Sequence, residues 1–191
     1  MMLLAIAVSC ARDKVLNSVL EQAGKNKGEL ENVLVHYDSV PEKRKAAEFL
    51  IKNMPGRYSL QSPFLFRYYE LLDSLQGLDY IGHDEMIVFY DSIYKRPEWR
   101  SLKPVYDIES ITSQYLIAHI DAAFDAWKSP WAKDLTFEEF CDYLLPYRED
   151  NEVLESWMKD YKAKYENIAY SVGFTSIDSV YDVIANMFVG H

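Results

Sequence analysis

The residue best suited by type to covalent chemistry is Cys141, which lies in the stretch FEEFCDYLLPYRED over residues 137–150. Catalytic thiols attack amide or acyl carbons when a helix N-terminus or a paired imidazole lowers their pKa. The spacing supplies neither group: the only histidine after Cys141 is His191, and nothing in the sequence requires an earlier histidine to approach the thiol. The pattern therefore favours a structural thiol over a nucleophile.

The residues around Cys141 point to the same interpretation. Thr136 and Glu139 have the spacing of a capping box, which predicts a helix that begins at residue 137. The face of that helix that carries Cys141 also carries three large apolar residues: Phe137, Phe140 and Leu144. A thiol several residues inside a helix, on its apolar face, is expected in the core.

Other candidate chemical groups are weaker. The tripeptide HDE at 83–85 holds metal-ligand residue types, but neighbours on a helix point in different directions, so a helix start is favoured. His119 lies on an apolar helix face, which is typical of a hydrogen-bonded core histidine. The sequence contains no glycine-rich nucleotide motif, phosphate loop or serine nucleophile elbow. It therefore predicts no catalytic residue, metal or cofactor in this chain.

Composition limits the class of partner. The chain has 191 residues, of which 49% are hydrophobic, enough for one ordinary domain. Its net charge is −10, and residues 104–191 carry 16 Asp and Glu against 6 Lys and Arg. Nucleic-acid binding requires a basic surface, so it is not expected. The stretch IAYSVGF at 168–174 resembles the second helix-turn-helix of AraC-type regulators, but the residues that follow are acidic where that family has basic ones.

The N-terminus suggests export. MMLLAIAVSC at residues 1–10 is too short to span a bilayer, and small residues precede Cys10 as in the lipobox of bacterial lipoproteins. No basic residue precedes Cys10, and the alternative is an apolar first helix with a buried thiol. Elsewhere no run of about 18 apolar residues occurs. We therefore expect lipid attachment at Cys10 and membrane contact through that anchor alone.

The rest of the chain predicts helix after helix, with no stretch that alternates strictly enough to indicate a sheet. The expected fold class is all-α, an irregular multi-helix bundle of about seven to nine helices. Asp107 is expected to be the N-cap of the longest helix, and Pro41 to occupy the first turn of another. The predicted helices cover residues 28–38, 41–54, 63–77, 84–96, 108–128, 137–145, 152–169 and 176–188.

Several uncommon residues recur in an order that resembles one family. The patterns are FLIxNMPG within 42–59, then YLIxxID, AFxxW, PW and FxxFCxYxLPYR within 107–150, and LExW within 152–165. Together they resemble the N-terminal part of large transglutaminase-like lipoproteins of gut Bacteroidetes. The likeness covers roughly residues 28–165, and Cys10 suits the same family.

This resemblance implies an exported, lipid-anchored protein of the outer membrane or periplasm. The family's papain-like core, with its Cys, His and Asp, lies downstream of the matching region, so no catalytic residue can be assigned here. The expected organisation is a signal segment over 1–10, a linker or first helix over 11–27, and a helical N-terminal domain over 28–191. The chain is expected to be a fragment or truncated member without the catalytic core, inactive alone.

Three functions are compatible with the sequence. The favoured one is a scaffold that presents a protein, peptide or glycan to a partner, and the alternative is a free-standing helical lipoprotein that binds peptide or glycan. A hydrolase that uses Cys141 is the least favoured. Four aromatic residues are candidates for a binding surface, although packing in the core is the commoner fate of such rings: Trp99, Trp127, Trp131 and Tyr147.

Overall fold

The part of the chain that the structure describes is mostly helical, as the sequence predicts. In this computed structural model the described residues are 14–62, 82–95 and 102–160, together with positions 64, 65, 70, 162 and 163. Cys10, Trp99, the predicted helix over 176–188 and most of the one over 63–77 lie outside these residues. Within them, no helix is both long and apolar enough to cross a membrane.

The described elements follow one another through short connections. They are α1 over residues 14–22, a 3₁₀ turn Gly24–Asn26, α2 Lys27–His36, α3 Pro41–Lys52, β1 Tyr58–Gln61, α4 His83–Tyr94, β2 Lys103–Tyr106, α5 Asp107–Ser110, α6 Ser113–Trp127, α7 Phe137–Glu139 and a π-helical turn Phe140–Leu144. Residues 157–160 are also helical, so the helix predicted from residue 152 begins later. Pro41 occupies the first turn of α3, as predicted.

The core forms where the apolar faces of α1, α2, α3 and α6 meet. Helical spacing places the buried side chains on one face of each helix, and each Leu- or Ile-sized side chain contributes about 1.5–3 kcal/mol when it leaves water. The residues from these four helices that are buried include Leu16, Val19, Leu20, Leu30, Val33, Leu34, Ala46, Ala47, Leu50, Ile51, Leu116, Ile120, Ala123 and Phe124. Residues 14–22, within the segment predicted as a linker or first helix, therefore contribute a helix to this core.

One two-stranded antiparallel sheet corrects the prediction of a chain without strands. Tyr58 of β1 lies opposite Tyr106 of β2, and Gln61 lies opposite Lys103. Each strand has only four residues, and neither shows a clean alternation of buried and exposed positions. A period-2 pattern therefore could not reveal them.

The prediction of one long helix over 108–128 is also wrong, because this segment forms two helices, α5 and α6, with extended residues between them. Ile111 and Thr112 are extended, with ψ angles of 139° and 151°. The hydroxyl of Thr112, rather than the carboxylate of Asp107, caps the long helix and accepts a hydrogen bond from the Tyr115 N–H at 3.2 Å.

Contacts from distant residues hold this break open. The side-chain amide of Asn26 donates to the carbonyls of Ile108 and Ile111 at 3.2 and 2.9 Å. The carboxylate of Glu29 accepts from both the N–H and the hydroxyl of Ser113 at 2.6 Å, and these bonds lower the pKa of Glu29. Backbone groups that a continuous helix would pair are thus satisfied by the start of α2.

The predicted capping box at Thr136 is confirmed. The Thr136 hydroxyl accepts from the Glu139 N–H, and the Glu139 carboxylate accepts from the Thr136 N–H. After this regular start the helix widens into a π turn, in which the Leu145 N–H donates to the Phe140 carbonyl at 2.9 Å. Phe140 and Cys141 are both buried in the turn, and Tyr143 is exposed.

Candidate functional site

The most buried charged pair in the described part of the chain joins Asp107, at the end of the sheet, to Arg148, beyond the π turn. Each side chain is 1% exposed. The guanidinium meets the carboxylate in a two-pronged contact, with Nε on Oδ2 and Nη2 on Oδ1, both at 2.8 Å. The Tyr147 hydroxyl also donates to Oδ2, at 3.0 Å. Charge-assisted, two-pronged contacts of this kind are among the strong hydrogen bonds of proteins.

The same arginine closes the loop in which it lies, residues 145–152. Its Nη1 donates to the carbonyl of Glu152 and lies 3.5 Å from that of Asp150. The Glu152 carboxylate in turn accepts from the N–H groups of Glu149 and Asp150, both at 2.8 Å. The Arg148 carbonyl accepts from Arg57 at 3.3 Å. The pair and this loop therefore form one bonded unit, named here the Asp107–Arg148 clamp.

His119 fixes the start of the same loop. Its Nε2 lies 2.8 Å from the Leu145 carbonyl, and because a carbonyl can only accept, Nε2 carries the proton. The imidazole is surrounded by the rings of Tyr115, Tyr147 and Trp157, each with its centroid 6.1–6.2 Å away. Burial lowers the pKa of His119, against an opposing effect of the bond to Leu145. The ring is therefore held neutral at pH 7.

Cys141 is buried, as its position on the apolar face predicts. Burial raises the pKa of its thiol to about 11, and the neighbouring Asp142 carboxylate contributes in the same direction. The environment is thus opposite to that of a catalytic cysteine, whose pKa is lowered by positive charge. One edge of Cys141 lines a small open pocket between α3 and the π turn.

The four aromatic candidates for a binding surface have different places. Tyr147 is 3% exposed and belongs to the clamp, so its assignment to a surface is wrong. Trp127 is half-buried, stacks on Phe140 at a centroid distance of 4.4 Å, and donates its indole N–H to the Leu135 carbonyl at 3.0 Å. Trp131 is half-buried, and Trp99 is not among the described residues. Trp127 and Trp131 keep part of their surface exposed, and their role in binding stays a prediction.

The predicted helix start at residues 83–85 is confirmed. Asp84 and Glu85 lie in the first turn of α4, and the Glu85 carboxylate accepts from the Gly82 N–H at 2.8 Å. Among the described residues, no cluster of three or more His, Cys, Asp or Glu side chains could hold a metal ion.

Comparisons with protein-family models, curated proteins and solved structures find no match to this chain. The likeness to transglutaminase-like lipoproteins therefore stays a prediction. The residues that carry it have definite places: Ile51 and Met54 of the FLIxNMPG pattern are fully buried, and Tyr147 and Arg148 of the LPYR pattern form the clamp. These patterns describe a folded core rather than a reactive centre.

Sequence reasoning missed Asp107 and Arg148 as a pair. The sequence predicts Asp107 to be a helix N-cap and assigns Arg148 no role beyond its place in the pattern FxxFCxYxLPYR. The available signal was a lone arginine directly after the apolar run YLLPY. Such a position is costly for a guanidinium unless a carboxylate meets it.

Replacing Arg148 by Met tests the clamp. The change leaves the Asp107 charge buried without its cation, and we expect the free energy of unfolding to fall by about 3–5 kcal/mol. The control Lys95→Met removes an exposed ion pair with Asp91, and its cost is expected to stay below about 1 kcal/mol. Urea denaturation measures both. Equal losses in the two variants would show that the buried pair carries no special stability.

The neutral state of His119 gives a pH-dependent prediction. Because its pKa is lower in the folded than in the unfolded protein, the unfolded state binds more protons below about pH 6.5. Stability from His119 is therefore complete above that pH and falls as the pH drops toward the folded pKa. We expect the wild type to lose more stability than His119→Gln between pH 7.5 and 5, measured by denaturation at each pH. Parallel pH profiles would contradict a neutral buried imidazole.

Proposed function

We propose that this chain is a non-catalytic helical domain of a cell-envelope lipoprotein of the transglutaminase-like kind, and that it acts as a scaffold that presents a protein, peptide or glycan to a partner. The observation that supports this most is the state of Cys141. A buried thiol with a pKa of about 11 is almost entirely protonated at neutral pH. A nucleophilic cysteine requires the opposite.

The use of polar groups in the clamp also supports a scaffold. The side chains of Asp107, Tyr147 and Arg148 form hydrogen bonds with one another, and Arg148 also donates to backbone carbonyls. His119 donates to the backbone of Leu145 and is neutral, so it serves as a structural donor. The carboxylate, guanidinium and imidazole groups of the clamp and of His119 therefore act to fix the chain.

The finer architecture follows from the helices already described. We propose an irregular bundle of about seven to nine helices, with the short sheet as a local ribbon attached to it. In this arrangement α1, α2, α3 and α6 supply the core, and the clamp fastens the ribbon and the 145–152 loop to it. A rigid unit of this kind suits presentation of a partner.

Thiol labelling tests the non-catalytic part of the proposal. In a Cys10→Ala variant, Cys141 is the single cysteine, since the chain has two. We expect an aromatic disulfide reagent at pH 7.5 to label it at least about 100-fold more slowly in the native than in the urea-unfolded protein, because the native thiol is buried and protonated. Rapid native labelling, or incorporation of an amine probe into a glutamine-containing protein that is lost in Cys141→Ser, would contradict the proposal.

Lipid attachment tests the localisation. When the chain is expressed in a bacterium with lipoprotein processing, a fatty-acid probe is expected to label the protein and the label to disappear in Cys10→Ala. The matched control Cys141→Ser should keep the label, because that thiol is internal. A wild-type protein that stays unlabelled while a known lipoprotein in the same cells is labelled would contradict a lipid anchor.

A further inference from the structure

The pocket beside Cys141 lies between the C-terminal end of α3 and the π turn. Its volume is about 170 Å³, close to that of five or six water molecules at roughly 30 Å³ each. Four residues give it an apolar wall: Phe49, Leu50, Cys141 and Pro146. It is smaller than the roughly 300–1,000 Å³ of pockets for drug-sized ligands. The volume suits an occupant with few heavy atoms.

One side of the pocket holds a positive group that is already oriented. Arg57 donates its Nε to the Asn53 carbonyl at 3.1 Å and its Nη1 to the Arg148 carbonyl at 3.3 Å. These two bonds fix the guanidinium plane, and no hydrogen bond from Nη2 is found among the described residues. A fixed guanidinium with a free N–H edge is a good binder of carboxylates.

The pocket also holds a negative group. Asp142 is exposed, and its carboxylate forms no ion pair or hydrogen bond with any residue that the structure describes. Asp142 and Arg57 line the same pocket, but the two side chains are not within the 4.0 Å of a salt bridge. The pocket therefore carries two separated opposite charges beside an apolar wall.

The π turn makes this arrangement possible. A widened turn buries Phe140 and Cys141 together, and Asp142 follows at the pocket edge. Single π turns within helices occur frequently at functional sites. Here the unusual turn and the unpaired charges lie at the same place, because Asp142 is itself part of the turn.

We propose that this pocket binds a small zwitterionic α-amino acid. Its carboxylate lies on the free edge of Arg57, its ammonium group on Asp142, and its side chain against Leu50 and Phe49. L-Alanine to L-valine, with roughly six to eight heavy atoms, suits the small volume. This ligand role is additional to the scaffold role and does not depend on it.

The test is a titration of the ¹⁵N-labelled full chain with L-valine, followed by NMR. We expect saturable shifts that include the amides of Asn53, Cys141 and Asp142. Asp142→Asn removes the charge that meets the ammonium group and should weaken binding at least 10-fold. The matched control Glu138→Gln neutralises an exposed carboxylate outside the pocket and should leave binding unchanged. Circular dichroism confirms that both variants fold.

A second probe tests whether binding requires the charges of the ligand or only the hydrophobic contacts of its side chain. 3-Methylbutanamide keeps the isopropyl group of L-valine and has seven heavy atoms but neither charge, so it is no larger than L-valine. We expect its binding to be at least 10-fold weaker than that of L-valine. The proposal is overturned if L-valine causes no shifts at these amides, if Asp142→Asn binds as well as the wild type, or if the neutral probe binds equally. A scaffold without enzymatic activity would be compatible with any of these results, so the two proposals fail separately.

Discussion

The buried pair of Asp107 and Arg148 is the constraint on which the clamp region depends. Removing two charges from water costs several kcal/mol per ion, and the cost is offset only when every polar atom finds a partner. Here the two-pronged contact, the Tyr147 hydroxyl and the loop carbonyls supply those partners. The requirement fixes two segments whose paired residues lie 41 apart in the chain: the end of β2, and the loop over 145–152 that follows the π turn.

This constraint also determines what chemistry the region can do. Charged and aromatic groups that could form a catalytic set are bound to each other and to the backbone, and the neutral His119 serves as a donor to Leu145. Cys141 is left protonated in an apolar setting. Among the residues that line the pocket, Arg57 and Asp142 carry charge without an ion-pair partner among the described residues. The region therefore combines a rigid bonded clamp with a small pocket that carries charged groups.

Local features of the fold could be predicted from the sequence because their causes are local. The capping box at Thr136, the Pro41 start of α3 and the burial of Cys141 each depend on residues within one or two turns. The break at Ile111 depends on Asn26, which lies 85 residues away. The clamp joins residues 41 apart. The π turn could not be predicted from the sequence either, because its apolar residues have the spacing of an ordinary helix.

The most direct measurement of the central claim is a double-mutant cycle on the free energy of unfolding, with Asp107→Asn, Arg148→Met and the double variant. If the pair organises this region, the second substitution should cost much less once the first is present. We expect a coupling energy on the order of 2–3 kcal/mol. Effects that add to within about 0.5 kcal/mol would contradict the account.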